Sequence, residues 1–139
     1  MLKDEVVKYY YPGNGYNYNC AEAMLRALND YYHLDLSRDI LYAASSFGGG
    51  AGHDEMCGGI ASVLAVLGVL FSQNGKGHDS IKMNELRRRF FEEFDKVYEK
   101  TDCVFLKSNY YVPVHKCEAV LVNIAEFVEK LLEESEKEI

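Results

Sequence analysis

The sequence predicts an all-α fold: a single-domain helical bundle, 1–139, of about five to six helices with a central buried helix. Three observations carry this. Apolar residues recur at helical spacing along nearly the whole chain. The two prolines, Pro12 and Pro113, fall between periodic segments rather than inside one. The stretch from 54 to 72 is apolar almost all round, the mark of a helix covered on every side. A chain of 139 residues matches the usual ~100–200 residues of one domain and is long enough to bury a core without disulfide staples.

Each element has its own signal. Residues 2–10 read as a short helix with Val6, Val7 and Tyr10 on one side, broken at Tyr11-Pro12-Gly13-Asn14-Gly15. Asn19 is an N-cap with Glu22 as its capping-box partner, and Cys20, Met24, Leu28 and Tyr31 or Tyr32 follow at helical spacing. Ser37 opens a shorter helix through Ile40, Leu41 and Ala44. Asp54 is the expected N-cap of the buried helix, and Gly58, Gly59, Ala61, Ser62, Ala65 and Gly68 give it small surfaces for close packing. A turn at Gln73-Asn74-Gly75-Lys76-Gly77 precedes a long amphipathic helix that starts at Asp79 or Ser80 and carries Leu86, Phe90, Phe94, Val97 and Tyr98. Cys103 is expected on a loop. Pro113 suits the first turn of the last helix, whose stripe holds Cys117, Val120, Leu121, Ile124, Phe127, Val128 and Leu131 before a charged tail. Val104-Phe105 and Tyr110-Tyr111-Val112 are too short and isolated to make a sheet.

Charge and hydropathy exclude several functions. A net charge of −7 repels a phosphate backbone, so no nucleic-acid partner is expected. The run Arg87-Arg88-Arg89 is offset by Glu85, Glu92, Glu93 and Asp95 and reads as a solvated helix face. The most apolar run, 60–71, is shorter than the ~20 residues that span a bilayer, so no membrane insertion is expected. The start, Met1-Leu2-Lys3-Asp4-Glu5, lacks the apolar stretch of a signal peptide, which points to the cytoplasm. There, cysteines are more often reduced, catalytic or metal-bound than locked in structural disulfides.

Four cysteines carry the chemistry: Cys20, Cys57, Cys103 and Cys117. Cys20 follows the Asn19 cap, Cys57 follows Asp54 by three residues and Cys117 follows Pro113 by four. A thiol in the first turn of a helix meets unpaired N–H groups and the positive end of the dipole, which favour thiolate. On this reading Cys57 is the most activated, and the four cysteines converge at one end of the bundle with 48–52 as part of the wall. The rival reading is that cysteine behaves as a small buried hydrophobe, and Cys20 and Cys117 both lie on apolar stripes. There is no CxxC knuckle, no HxxxH and no CxxCH, so zinc-finger and haem readings are weak. An iron–sulfur cluster would have to be assembled from distant cysteines.

Gly48, Gly49 and Gly50 could cradle an anion at a helix start, but GxxxxGK[ST] is absent, so nucleotide binding is not expected. They serve a tight turn, or let backbone approach Cys57 or its partner closely. His53 and His115 flank cysteines in sequence, as thiolate stabilisers or ligands. The eleven tyrosines, Tyr9, Tyr10, Tyr11, Tyr16 and Tyr18 among them, read as core and rim packing.

With these residues in view, the whole chain resembles the small redox-active family known as C_GCAxxG_C_C. Asn19-Cys20-Ala21-Glu22-Ala23 looks like its first element. The glycine-rich 47–52 followed by Cys57-Gly58 looks like its second, and Cys103 and Cys117 like its last two cysteines. The chain departs from the C-G-A-x-x-G core: Gly59 stands where the family has alanine and Ser62 where it has the final glycine, both small-for-small exchanges. The resemblance implies a redox role without naming a substrate.

Three functions therefore compete. The leading one is a thiol-redox protein, an oxidoreductase if it is an enzyme. It would cycle between dithiol and disulfide through Cys20, Cys57, Cys103 and Cys117, with no cofactor required and a redox protein, small thiol or small disulfide as partner. The second is a module binding zinc, an iron–sulfur cluster or another cofactor, with the same cysteines as ligands and Gly48, Gly49, Gly50 and His53 around the group. The third is a structural protein with inert thiols. A homo-oligomer is compatible with each.

Overall fold

The computed structural model describes residues 1–137. They form seven α-helices and no strand. In α1 (Leu2–Tyr10) the buried residues Leu2, Val6 and Tyr10 are four apart and share a face, with Asp4 and Glu5 in the first turn and Lys8 in the last, where each sign suits the helix dipole. A 3₁₀ turn at Pro12–Asn14 leads towards α2 (Cys20–Tyr31). That helix opens on a complete capping box: Asn19 Oδ1 accepts the Glu22 N–H at 3.0 Å, and Glu22 Oε1 accepts the Asn19 N–H at 3.1 Å. Next come α3 (Arg38–Ala43), capped by Ser37, and a 3₁₀ turn at Ala44–Phe47. After these lie α4 (Gly58–Phe71), α5 (Ile81–Tyr98), α6 (Cys103–Tyr110) and α7 (Glu118–Lys137).

The all-α class holds, with more helices than the five or six expected. The difference lies mainly at Cys103, which starts α6 instead of lying on a loop. The last helix begins at Glu118 and not near Pro113. Pro113 sits in a tight turn closed by two bonds, Val112 N–H to the Lys116 carbonyl at 3.1 Å and Lys116 N–H to the Val112 carbonyl at 2.7 Å. Asp54 does not cap α4. It ends a wide turn, Gly50–Asp54, with φ of 55°, and Cys57 is the residue at the N-cap. The charged tail expected after the last apolar stripe is helical through Lys137, and its final residues, 138–139, lie outside the described residues.

The expectation of a helix buried on all sides also needs correction. Gly58, Gly59, Ile60, Ser62, Val63, Val66 and Leu67 of α4 are buried, whereas Ala65, Val69 and Leu70 face solvent. An apolar circumference tells what a helix tolerates, and the neighbours decide what is covered. The more enclosed helix is α2, which packs against α1 on one side and α4 on another and buries six residues from Ala21 to Leu28.

The remaining layers close the bundle: α4 packs on α5, α5 on α7, and α7 returns to α1. Phe94 anchors the α5 seam, with ring centroids 4.9 Å from Tyr98 and 6.5 Å from Phe127. The Tyr98 ring stands edge-on to Tyr110 at 5.0 Å and so docks the end of α6. Two buried hydrogen bonds tie distant helices: the Leu2 N–H donates to Glu129 Oε1 at 2.8 Å, and Ser62 Oγ donates to the Ala21 carbonyl at 2.6 Å. The Ser62 hydroxyl thereby fastens α4 to the first turn of α2. Tyr9, Tyr16 and Tyr18 form an aromatic rim, with the Arg26 guanidinium 4.4 Å from the Tyr18 ring centre. Among the described residues no helix is long and apolar enough to cross a membrane.

Candidate thiol site

The first turns of α2 and α4 meet. Cys20 is the first residue of α2, Cys57 is the N-cap of α4, and the two thiols lie close enough for each to shift the other's ionisation. Glycine makes the approach feasible. A Cβ on Gly58 would stand 2.7 Å from the Phe47 carbonyl oxygen and 2.8 Å from Cys20 Sγ. Asn19 completes its fixation of this corner by donating from Nδ2 to the Ser45 carbonyl at 2.8 Å.

The third cysteine is delivered by a short antiparallel pairing. The Cys57 N–H donates to the Thr101 carbonyl at 2.9 Å, the Cys103 N–H donates to the Glu55 carbonyl at 2.6 Å, and Met56 and Asp102 form the bridge between them. Gly50 fits beneath this pairing at φ of 62°. A Cβ there would collide with Glu55 backbone at 2.5 Å and with the Cys103 Cβ at 2.8 Å. The fourth, Cys117, sits just ahead of α7, and its N–H donates to the Tyr10 hydroxyl at 3.3 Å. All four cysteines, none in a disulfide, line one cavity of about 180 Å³ with Tyr10, Asn19, Gly49, Leu106, Lys107, Tyr111, Lys116 and Val120.

Other residues singled out in the sequence lie elsewhere. Of the three consecutive glycines, Gly49 lines the cavity; Gly50 acts through backbone packing, and Gly48 packs against the Asn19 side chain. His53 is exposed, with Nδ1 3.2 Å from Glu55 Oε1, outside the cavity lining. His115 stacks on the Tyr11 ring at 5.1 Å and pairs with Glu118 at 3.2 Å. Among the described residues no group of three or more His, Cys, Asp or Glu side chains is disposed to hold a metal ion.

The electrostatics separate the four thiols. Cys20 is drawn down to about 6, first by the Cys57 S–H that donates to it and then by the backbone N–H groups of Gly49, Gly58 and Ala21, against the opposing effect of burial. Cys57 moves the other way. The Cys20 thiolate holds its proton, and burial adds to the effect. In this pair the lowering falls on Cys20, not on Cys57, the thiol that the sequence pattern favours. The two helix starts compete for one negative charge, and Cys20 is the less buried of the pair. Burial raises Cys103 above the ordinary thiol value and raises Cys117 to about 11, with Lys107 opposing in both cases.

A small all-helical chain with four thiols around one cavity is what the fold and the site define. A family model described as "Putative redox-active protein (C_GCAxxG_C_C)" matches residues 18–131, and the chain belongs to this family. No curated protein and no solved structure matches it. Leu106, Lys107 and Lys116 line the cavity without having been singled out in the sequence, and Tyr10 was read there only as packing. Lys107 carried a signal, since it stands one helical turn after Cys103, and Lys116 adjoins Cys117. Tyr10 carried none, because its place depends on α1 packing against α7.

Proposed function

We propose that this is a thiol–disulfide redox protein in which Cys20 is the attacking thiolate and Cys57 the resolving thiol, with the whole chain, 1–139, acting as one helical domain in a reducing, cytoplasmic setting. The observation that carries the reading is the pairing of a lowered and a raised thiol at two abutting helix starts, open to a cavity.

In the oxidising direction, the Cys20 thiolate attacks one sulfur of a disulfide R–S–S–R′. The Cys20–S–S–R bond forms, and R′S⁻ leaves with one electron pair. Cys20 then no longer carries the charge that held the Cys57 proton. The largest cause of the raised Cys57 value disappears, and Cys57 ionises more easily. Its thiolate attacks Cys20 Sγ, the Cys20–Cys57 disulfide forms and RS⁻ leaves; the proton lost by Cys57 passes through water to a released thiolate. Two electrons have moved from the protein to R–S–S–R′, and the reverse sequence reduces the protein.

Equilibration against mixtures of reduced and oxidised dithiothreitol, followed by acid quench and disulfide mapping, tests the proposal. The expected result is a two-electron transition with Cys20 joined to Cys57. Four thiols that stay reduced at every ratio and resist alkylation until the chain is unfolded would overturn it in favour of inert packing.

A further inference from the structure

The cavity is charged against the sign of the molecule. The chain carries −7 overall, yet among the described residues the permanently charged groups that line the cavity are two cations, Lys107 from α6 and Lys116 from the turn before α7. Asp54 acts on Cys103 from outside the lining. The Lys116 ammonium lies 5.6 Å from the centre of the Tyr10 ring. The Tyr10 hydroxyl already accepts the Cys117 N–H, which leaves its own proton to donate. Asn19 is committed on both sides of its amide, to Glu22 and to Ser45. Leu106 and Val120 supply apolar wall. At about 180 Å³ the space is below the ~300–1,000 Å³ of drug-sized sites, so it admits a small molecule or the reacting end of a larger one.

Resting on the thiol–disulfide reading, we propose that the cavity selects small anionic disulfides and thiols, with a carboxylate held by Lys107, Lys116 and the Tyr10 hydroxyl while one sulfur faces the Cys20 thiolate. The chemistry is the exchange written above, with R carrying the carboxylate. A like-charged thiolate and substrate would repel one another in water, and two ammonium groups beside the path offset that repulsion.

The test compares three disulfides of similar size: dithiodiglycolate, which is anionic, hydroxyethyl disulfide, which is neutral, and cystamine, which is cationic. Formation of the Cys20 mixed disulfide or of the Cys20–Cys57 disulfide is followed by mass, and each rate is divided by that of a free small thiolate with the same reagent. The proposal expects the order anionic, neutral, cationic, with the preference collapsing as salt is raised. Lys107→Gln combined with Lys116→Gln should lower the anionic-to-neutral ratio roughly tenfold, whereas Lys130→Gln on α7, outside the cavity, should leave it in place. A normalised preference for the neutral or cationic reagent, or a ratio unmoved by the double substitution, overturns the anion selectivity and leaves the redox reading standing. If none of the three reagents reacts at Cys20, the redox reading fails and takes this inference with it.

Discussion

Cys20 and Cys103 occupy the same position in their local sequence, and their chemistry diverges. Each is the first residue of an α-helix and each follows an Asx residue. Cys20 is pulled down to about 6, while Cys103 is pushed up. The difference lies in what reaches each sulfur. Asn19 closes a capping box that fixes the α2 start, and N–H groups from three separate places (Gly49, Gly58 and Ala21) meet at the Cys20 sulfur together with the Cys57 S–H. Asp102 makes no side-chain cap bond. At Cys103 burial outweighs the Lys107 charge, and Cys20 and Asp54 add negative charge nearby. A helix start favours thiolate when the donors that converge on the sulfur outweigh its desolvation, as they do at Cys20 and not at Cys103.

The largest test of that contrast is deletion of each thiol in turn. Cys20→Ser should remove most of the fast alkylation by iodoacetamide at neutral pH, a fall of roughly tenfold, because Cys103 and Cys117 stay raised and burial still opposes ionisation of Cys57 once the Cys20 charge is gone. Cys103→Ser should leave most of the fast reaction intact. Equal losses in the two variants would erase the distinction.

A smaller effect sharpens it. Gly58→Ala puts a methyl group against the Phe47 carbonyl and the Cys20 sulfur, so it should cost about 1–3 kcal/mol in urea unfolding and push Cys20 back towards an ordinary thiol. An unchanged unfolding midpoint with an unchanged Cys20 profile would show that the two helix starts are not in close contact.

Much of the frame was legible in the chain. The Asn19–Glu22 box, the α1 and α5 periods and the turn at 73–77 follow from local rules, and the structure carries each. Eight residues of α6 were missed, since Val104-Phe105 and Tyr110-Tyr111-Val112 show no helical stripe and the helix depends on docking through Tyr98 and Tyr110. The α7 start was misplaced for a related reason: Pro113 suits a helix start, but the Val112–Lys116 turn uses it first. Within the site, local pattern located cysteines near helix starts. It could not rank them, because apart from the adjacent Ala21 N–H the donors to Cys20 come from 29 to 38 positions further along, on other elements. The Gly50–Asp54 turn likewise exists to let Glu55 reach Cys103, a contact between segments far apart in the chain.

The most direct measurement is the pH dependence of alkylation resolved cysteine by cysteine, with peptide masses read after brief exposure to iodoacetamide. Reactivity follows the thiolate fraction, so a lowered thiol keeps its rate as the pH falls until its own pKa is reached. The account predicts that Cys20 loses rate with a midpoint near pH 6, while Cys57, Cys103 and Cys117 gain rate only above the ordinary thiol range of about 8.5. A profile in which Cys57 is the early-titrating thiol, or in which all four titrate together above that range, would contradict it.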